Sequence, residues 1–161
     1  MKKNYYRRST CRQCNSNNLT KAINLKATPP ANEFVSKSQR IDSQPLYPLD
    51  VYFCNECKHL QLLDVIKPEY LYKNYIYVSG TSPIFINHFQ GYFNFIKENY
   101  FDNGLVIDIG SNDGTLLKFF KNSGYKVIGI DPAKKIAAEA AKNGIPSFVE
   151  FFTSDLAKNI F

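Results

Sequence analysis

The sequence predicts an α/β fold in which a small cysteine-bearing unit precedes the first half of a doubly wound parallel sheet. Residues 105–151 alternate strictly between strand-like and helix-like segments. Such alternation is typical of a parallel sheet with helices packed on its faces. All four cysteines lie earlier in the chain, in two pairs of the form Cys-x-x-Cys. We therefore expect three parts, residues 1–66, 67–101 and 102–161.

The segments after residue 104 each carry a local signal for their predicted structure. "LVIDI", at 105–109, is a short apolar run of the kind that forms a buried parallel strand. "TLLKFFKNS" has helical periodicity and stops at Gly124, and "YKVIGI" is a second strand that ends at Asp131. A second helix, "AKKIAAEAAKN", stops at Gly144 and is followed by a strand near "IPSFVEF".

Residues 67–101 are predicted to form a helical connector rich in tyrosine. A Lys-Pro pair suits a helix start, and Ser82 is placed to cap an amphipathic helix over residues 83–100. Between these points lie Tyr70, Tyr72, Tyr75 and Tyr77. Tyrosines at this density usually pack with their hydroxyls at the rim, but some of these hydroxyls could instead face a ligand.

The cysteine pairs are Cys11 with Cys14 and Cys54 with Cys57. Two residues between cysteines let one tight turn direct both sulfurs to one point, and two such turns supply four soft ligands in a tetrahedron. This pattern favours a structural zinc site in a small zinc-ribbon-like domain. Iron in the same four thiolates and a redox-active pair stay open as alternatives. His59 could compete as a ligand, although four thiolates already close the site.

The positive charge of the chain is concentrated at its N-terminus. The net charge is +6, and the first 26 residues carry seven positive residues and no acid. They are Lys2, Lys3, Arg7, Arg8, Arg12, Lys21 and Lys26. Such a basic arm could meet nucleic acid, a nucleotide phosphate or only solvent.

The sequence shows no signal typical of a membrane protein or a secreted protein. No apolar run approaches the roughly 18 residues that a membrane span needs. The basic start is not followed by the hydrophobic segment of a secretory signal. A cytoplasmic protein is therefore expected.

The segment that indicates ligand binding is the glycine turn "GSNDG", residues 110–114, between the first strand and the first helix of the predicted sheet. Ligands of such sheets bind outside the carboxyl ends of the strands. Gly110 lets the backbone turn tightly, and Gly114 lets it approach a ligand without an intervening side chain. A ligand site is therefore expected at this turn.

Acidic residues around the glycine turn indicate which ligand it suits. Asp108 precedes the turn and Asp113 lies within it, so a dinucleotide's diphosphate would be repelled. Both acids suit a ligand that carries an ammonium and a sulfonium, as S-adenosylmethionine does. Asp131, at the end of the second strand, can accept both hydroxyls of a ribose. Together these residues favour an S-adenosylmethionine site.

Taken in order, these motifs resemble the sugar C-methyltransferases, which methylate a carbon of nucleotide-linked keto-deoxysugars. The matching segments are the paired Cys-x-x-Cys motifs, "YPLDVYFCNECKHLQL", "YIYVSGTSPIFINHF", "VIDIGSNDGTLLKFF" and "VIGIDPAKKIA". They cover nearly the whole chain from about Cys11 to Phe161. The resemblance implies an N-terminal zinc-binding domain followed by the first half of a Rossmann-like class I S-adenosylmethionine methyltransferase domain. In the family a C-terminal α/β domain helps to bind the nucleotide sugar.

The resemblance also implies roles for individual residues. The family's zinc ligands are matched by Cys11, Cys14, Cys54 and Cys57. Its cofactor turn is matched by Gly110, Asn112, Asp113 and Gly114, with Asp108 before it and Asp131 as the ribose acid. A segment placed near the substrate is matched by Tyr75 and Tyr77. Zn²⁺ and S-adenosylmethionine are the implied cofactors, and a nucleotide sugar is the implied substrate.

The chain departs from this family in length, because family members are much longer and carry their acid/base residues in later strands. We therefore expect the front part of such an enzyme, inactive alone, with no catalytic residue assigned. It is expected to associate with itself or with a downstream polypeptide, and not with a membrane. Two alternatives stay open. One is a zinc-ribbon nucleic-acid binder, which the placement of the aromatic residues away from the arginines argues against. The other is a non-catalytic partner domain of a split methyltransferase.

Overall fold

The computed structural model describes residues 4–38 and 44–160. The chain divides into two compact units, Met1–Leu71 and Tyr72–Phe161, each with its own sheets. The division into three parts after residues 66 and 101 stays a prediction. Within the described ranges, no helix is both long and apolar enough to cross a membrane.

The first unit is built from short antiparallel strands. β1 (Tyr5–Arg7) pairs with β5 (Asp64–Ile66). In a second sheet, β3 (Val51–Cys54) lies between β2 (Leu19–Ile23) and β4 (Leu60–Leu62). A short helix, α1 (Pro68–Tyr72), begins at the predicted Lys-Pro pair. Strands thus lie on both sides of the second cysteine pair.

Two cations of the basic arm form ion pairs within the first unit. Arg7 Nη1 forms an ion pair with Asp64 Oδ2 at 2.7 Å, and Lys21 forms one with Asp50. Exposed ion pairs of this kind contribute little to stability, because solvent screens them. They nevertheless engage two of the cations that a nucleic-acid interface would need. Lys2 and Lys3, which belong to the predicted arm, lie outside the described residues.

The second unit contains the predicted parallel sheet, in the order β6-β7-β8. Its strands are β6 (Leu105–Ile109), β7 (Lys126–Ile130) and β8 (Ser147–Phe148). Its helices are α2 (Pro83–Asn99), α3 (Thr115–Asn122), α4 (Lys134–Lys142) and α5 (Ser154–Ile160), and a short 3-10 helix covers Ser79–Thr81. The predicted α/β class with a Rossmann-like half sheet is confirmed.

The core of the second unit lies where α2 and α3 pack together beside the sheet. Phe93 of α2 meets Phe120 of α3 edge to face, with ring centroids 5.0 Å apart, and also meets Tyr125. Leu117 and Ile145 complete this cluster and are fully shielded from solvent. The core therefore fixes the start of α3, where the glycine turn ends.

The expectation that β6 is a buried strand is wrong at both of its ends. Leu105 and Ile109 are 43% and 57% exposed. The physical reason is that β6 lies at the edge of the sheet and, within the described residues, pairs with β7 alone. The amphipathic helix α2 likewise buries only Phe93 of its apolar stripe. The half sheet therefore leaves apolar surface open along one edge.

Candidate functional site

The four cysteines converge in the first unit. Their Sγ atoms all lie within 4.8 Å of one another. The Cys11–Cys57 and Cys14–Cys54 Sγ pairs are each 3.6 Å apart. A tetrahedron with zinc–sulfur bonds of about 2.3 Å has edges of about 3.8 Å. The donor set and its spacing therefore fit a metal ion held by four thiolates.

The two turns that carry the cysteines have the same local geometry. The amide of Asn15 donates to the carbonyl of Cys11 at 3.0 Å, and the amide of Lys58 donates to the carbonyl of Cys54 at 2.9 Å. Both donors have positive φ, 60° and 65°, so each turn closes with one residue in the left-handed region. The repeated Cys-x-x-Cys spacing thus folds into a repeated turn.

The pKa values of the Cys11 and Cys57 thiols are shifted in opposite directions. Burial alone would raise the pKa of Cys11, but hydrogen bonds from the backbone amides of Cys14 and Gln13 help to lower it to about 6. A backbone hydrogen bond from His59 lowers the pKa of Cys57, yet burial and the neighbouring thiols raise it to about 12. Four sulfurs this close ionise together only with a cation among them. The electrostatics therefore also favour a bound metal.

His59, which the sequence offered as a competing metal ligand, contacts the second cysteine turn through its backbone. Its carbonyl accepts from the amide of Cys54 at 2.9 Å. Among the described residues, the four cysteines are the group whose side-chain atoms lie close enough together to hold a metal ion. Zinc binding is thereby supported, and the assignment of these four side chains as the ligands stays a prediction.

In the second unit, the glycine turn connects the end of β6 to the start of α3. The amides of Gly110 and Ser111 both donate to the carbonyl of Ile130, at 2.8 and 3.2 Å, which ties the turn to the end of β7. Gly110 and Gly114 have φ of 82° and 73°, which other residues rarely adopt. A Cβ at Gly114 would also lie 3.0 Å from Ile145. Packing therefore requires Gly114, in addition to the ligand approach that the sequence indicated.

Asp131, which follows β7, is buried beside this turn with 7% of its surface exposed. Its Oδ2 accepts from the amide of Asn112 at 2.9 Å, and its Oδ1 accepts from the amide of Ala133 at 2.8 Å. A carboxylate offers about four acceptor positions, so each oxygen keeps capacity for a ligand hydroxyl. The predicted ribose acceptor therefore also holds the shape of the turn.

A cavity of about 160 Å³ opens at this end of the sheet. Its walls include apolar Phe89 and Leu116 and the acids Asp108 and Asp113. Burial raises the pKa of Asp108, and the charge of Asp131 raises it further. A cationic ligand in the cavity would oppose that effect, because a nearby positive charge favours the ionised carboxylate.

Ser111 is the site residue that the sequence reasoning missed. It is 5% exposed, lines the cavity, and its Oγ has no hydrogen-bond partner within the described residues. Buried hydroxyls are rarely left without a partner, so this oxygen fits a ligand with hydrogen-bonding groups. The signal in the sequence was weak, because serine in a glycine turn is normally interpreted as a turn former.

Asn112 and Asp113, two predicted cofactor residues, form hydrogen bonds with an earlier segment of the chain. The side chains of Asn112 and Asp113 form hydrogen bonds with the backbone of residues 77–80. The predicted cofactor turn is thereby joined to the predicted substrate segment, which lies more than thirty residues earlier in the chain.

The tyrosines of that segment lie in aromatic contacts. The ring of Tyr77 is 6.4 Å from that of Phe85, between centroids, and the residue is 38% exposed. The ring of Tyr75 lies 6.0 Å from that of Tyr72. Both observations fit the packing interpretation, and the substrate role of Tyr75 and Tyr77 stays a prediction.

The fold and the sites define a cysteine-rich metal-binding unit followed by the first half of a Rossmann-like ligand-binding sheet. Comparison with known proteins agrees with this class. Residues 11–72 match the family model Methyltransf_13, which describes a zinc binding domain. Over 152 residues the chain is 30% identical to the C-methyltransferase NovU of Streptomyces niveus, an alignment that covers 93% of this chain and 36% of that protein.

Together these two matches support the resemblance to an N-terminal portion of a sugar C-methyltransferase. The chain spans 36% of the length of the relative it matches.

Proposed function

We propose that this chain supplies the zinc-binding and cofactor-binding parts of an S-adenosylmethionine-dependent C-methyltransferase acting on a nucleotide-linked keto-deoxysugar. The observation that carries the proposal is the cavity at the glycine turn. It combines two acids with the hydroxyl of Ser111, which has no partner among the described residues, beside the buried carboxylate of Asp131. The similarity to a named C-methyltransferase supports the same reaction class.

The charges at the cavity suit this cofactor better than a dinucleotide. Asp108 and Asp113 line the cavity, and carboxylates there repel a diphosphate but attract an ammonium or a sulfonium. We assign Asp131 as the acceptor of the ribose hydroxyls, which the remaining acceptor capacity of its two oxygens supports. S-adenosylmethionine would supply an electrophilic methyl group to the carbon that is methylated.

The reaction also needs a group that these residues do not evidently provide. A carbon next to a ketone becomes nucleophilic only when a base removes its proton. Asp108 and Asp113 are the acids that line the cavity, and the proposal assigns neither of them as this base. We infer that the base belongs to the part of the family that this chain does not match. The chain alone is therefore expected to bind the cofactor without transferring its methyl group.

We further propose a downstream polypeptide as the macromolecular partner and a nucleotide sugar as the substrate. The open edge of β6 and the exposed apolar side chains of α2 support the first of these, because both are surfaces that added structure would cover. Self-association is the alternative use of the same edge. Tyr75 and Tyr77 are the proposed substrate contacts, and the cytoplasmic location stays a prediction.

The test of the proposed function is calorimetry with S-adenosylmethionine on the zinc-loaded chain and on Asp131→Asn. The substitution removes the charge from the proposed ribose acceptor, so binding should weaken by about 10- to 100-fold. The matched control is Asp155→Asn, at a side chain that is 87% exposed on α5, and it should bind as the unaltered chain does. Equal affinity in Asp131→Asn and the control would contradict the assignment of Asp131.

A further inference from the structure

The side chains of two consecutive residues in the glycine turn hold the chain just before α2. Asn112 Oδ1 accepts from the amide of Ser79 at 2.9 Å, and Asn112 Nδ2 donates to the carbonyl of Tyr77 at 2.9 Å. Asp113 Oδ2 accepts from the amide of Gly80 at 3.2 Å. We call this set of three hydrogen bonds the 112–113 clamp.

The clamp uses both the Oδ1 and the Nδ2 atoms of the Asn112 side chain. The backbone conformation at this position also suits asparagine. Asn112 is 9% exposed and has φ of 51°, in the left-handed region. Residues with a Cβ adopt this region at some energetic penalty, although asparagine tolerates it better than most. The carbonyl of Tyr77 needs a donor and the amide of Ser79 needs an acceptor. The short side chain of asparagine offers both.

Close approach of the two segments is visible at Gly80. A Cβ built there would lie 2.6 Å from the hydroxyl of Thr115 and would collide with the Asp113 carboxylate. Asp113 is held in place by Thr115, whose Oγ1 donates to it at 2.8 Å and whose amide donates at 3.2 Å. The clamp is therefore a packed contact that tolerates no side chain on the opposing residue.

The clamp is also connected to the proposed ribose acceptor. The backbone amide of Asn112 donates to Asp131, while its side chain bonds Tyr77 and Ser79. Ser79 in turn lines the cavity. One residue therefore links the carboxylate that would hold the ribose to the segment that forms a wall of the cavity.

We propose that Asn112 and Asp113 are positioning residues, which act on the cofactor by holding residues 77–80 as a wall of the cavity. This inference rests on the proposed function. It differs from the expectation drawn from the sequence, in which the charge of Asp113 meets the cationic cofactor directly. The same hydrogen bonds set the position of Tyr77 relative to the cofactor turn, so a loosened clamp also displaces that ring.

The test compares two ligands that differ in charge at sulfur, S-adenosylmethionine with its sulfonium and S-adenosylhomocysteine with a neutral thioether. A positioning role predicts that Asp113→Asn and Asn112→Gly weaken both ligands by the same factor, about 10-fold, so the ratio of their dissociation constants stays within about 2-fold of the unaltered chain. Asn112→Gly suits the left-handed φ, and Asn122→Gly at the exposed end of α3 is its matched control.

A second readout follows the clamp itself by amide hydrogen exchange. The amides of Ser79 and Gly80 should be protected in the unaltered chain, and Asn112→Gly should speed exchange at Ser79 by about 10-fold or more. Gly80→Ala disturbs the same contact from the opposite side without substituting a residue of the glycine turn. It should therefore weaken both ligands equally even if one of the turn variants fails to fold.

Each outcome decides between the two proposals. If the unaltered chain binds neither ligand, the proposed function is overturned and the positioning role falls with it. If it binds both, and Asp113→Asn weakens S-adenosylmethionine alone, Asp113 contacts the sulfonium and only the positioning role is overturned. Unchanged exchange at Ser79 in Asn112→Gly would also overturn the positioning role alone. Equal weakening of both ligands in Asn112→Gly, which leaves both acids in place, together with faster exchange at Ser79, supports it.

Discussion

At the scale of single residues, the site contains groups that are unfavourable for folding but suited to binding a ligand. Asp108 is a partly buried acid near the buried acid Asp131, and burial, followed by that charge, raises its pKa. Ser111 keeps a buried hydroxyl without a partner within the described ranges. Both features lower the stability of the ligand-free protein. A cationic ligand with hydrogen-bonding groups would offset both. Binding sites often contain such locally unfavourable features.

Asp108 gives a prediction for the pH dependence of stability. Its pKa in the folded chain lies above that of the unfolded chain, so its ionised form disfavours folding. Asp108→Asn should therefore increase the free energy of unfolding at neutral pH and leave it nearly unchanged below the ordinary pKa of aspartate. Urea denaturation of both proteins at several pH values measures this difference, with Asp155→Asn as the exposed control. A loss of stability at neutral pH would show that the charge of Asp108 is satisfied in the fold.

At the scale of elements, the local signals in the sequence predicted more than the contacts between elements. β6 has the predicted bounds, and Ser82 caps α2 by accepting from the amide of Phe85, as predicted. Gly124 ends the helix before β7 with φ of 91°. These features depend on neighbouring residues, so propensity and periodicity reveal them.

Other features depend on residues far apart in the chain and could not be predicted from local patterns. β1 pairs with β5 across more than fifty residues, although its sequence indicated only a charged arm. The clamp joins Asn112 and Asp113 to residues 77–80, and sequence spacing does not reveal such a contact. The exposed ends of β6 follow from its position at the sheet edge. The cysteine cluster was predictable, because its long-range contact is dictated by metal chemistry.

The two cysteine turns give a prediction for metal removal. The first unit consists of short strands and brings four thiols together from two distant turns, so the metal should contribute much of its folding free energy. Elemental analysis should find one zinc per chain, and either a chelator or Cys54→Ser should collapse the amide signal dispersion of residues 4–71. The amide signals of residues 72–160, which form a separate unit, serve as the internal control.

Two results would contradict this account of the metal. An unchanged amide spectrum in the metal-free protein would show that the cysteine cluster is not a structural centre. If elemental analysis finds iron, the four-thiolate site stands but the assignment of zinc is wrong.

At the scale of the whole molecule, the chain combines a metal-binding unit with half of a ligand-binding sheet. It spans 36% of the C-methyltransferase it matches. The open edge of β6 and the apolar surface of α2 are where the proposed downstream polypeptide would add. The basic arm, in contrast, is engaged within the first unit through Arg7 and Lys21. This engagement weakens the nucleic-acid alternative that the arm suggested.

The central claim is that the glycine turn binds S-adenosylmethionine, and the most direct test is an amide chemical-shift titration of the zinc-loaded chain with this cofactor. The account predicts shifts concentrated at residues 108–114, 131 and 77–80, and none around the four cysteines. Saturation should follow a single binding isotherm. The absence of shifts at residues 108–114 at millimolar cofactor, or shifts confined to the cysteine unit, would contradict it.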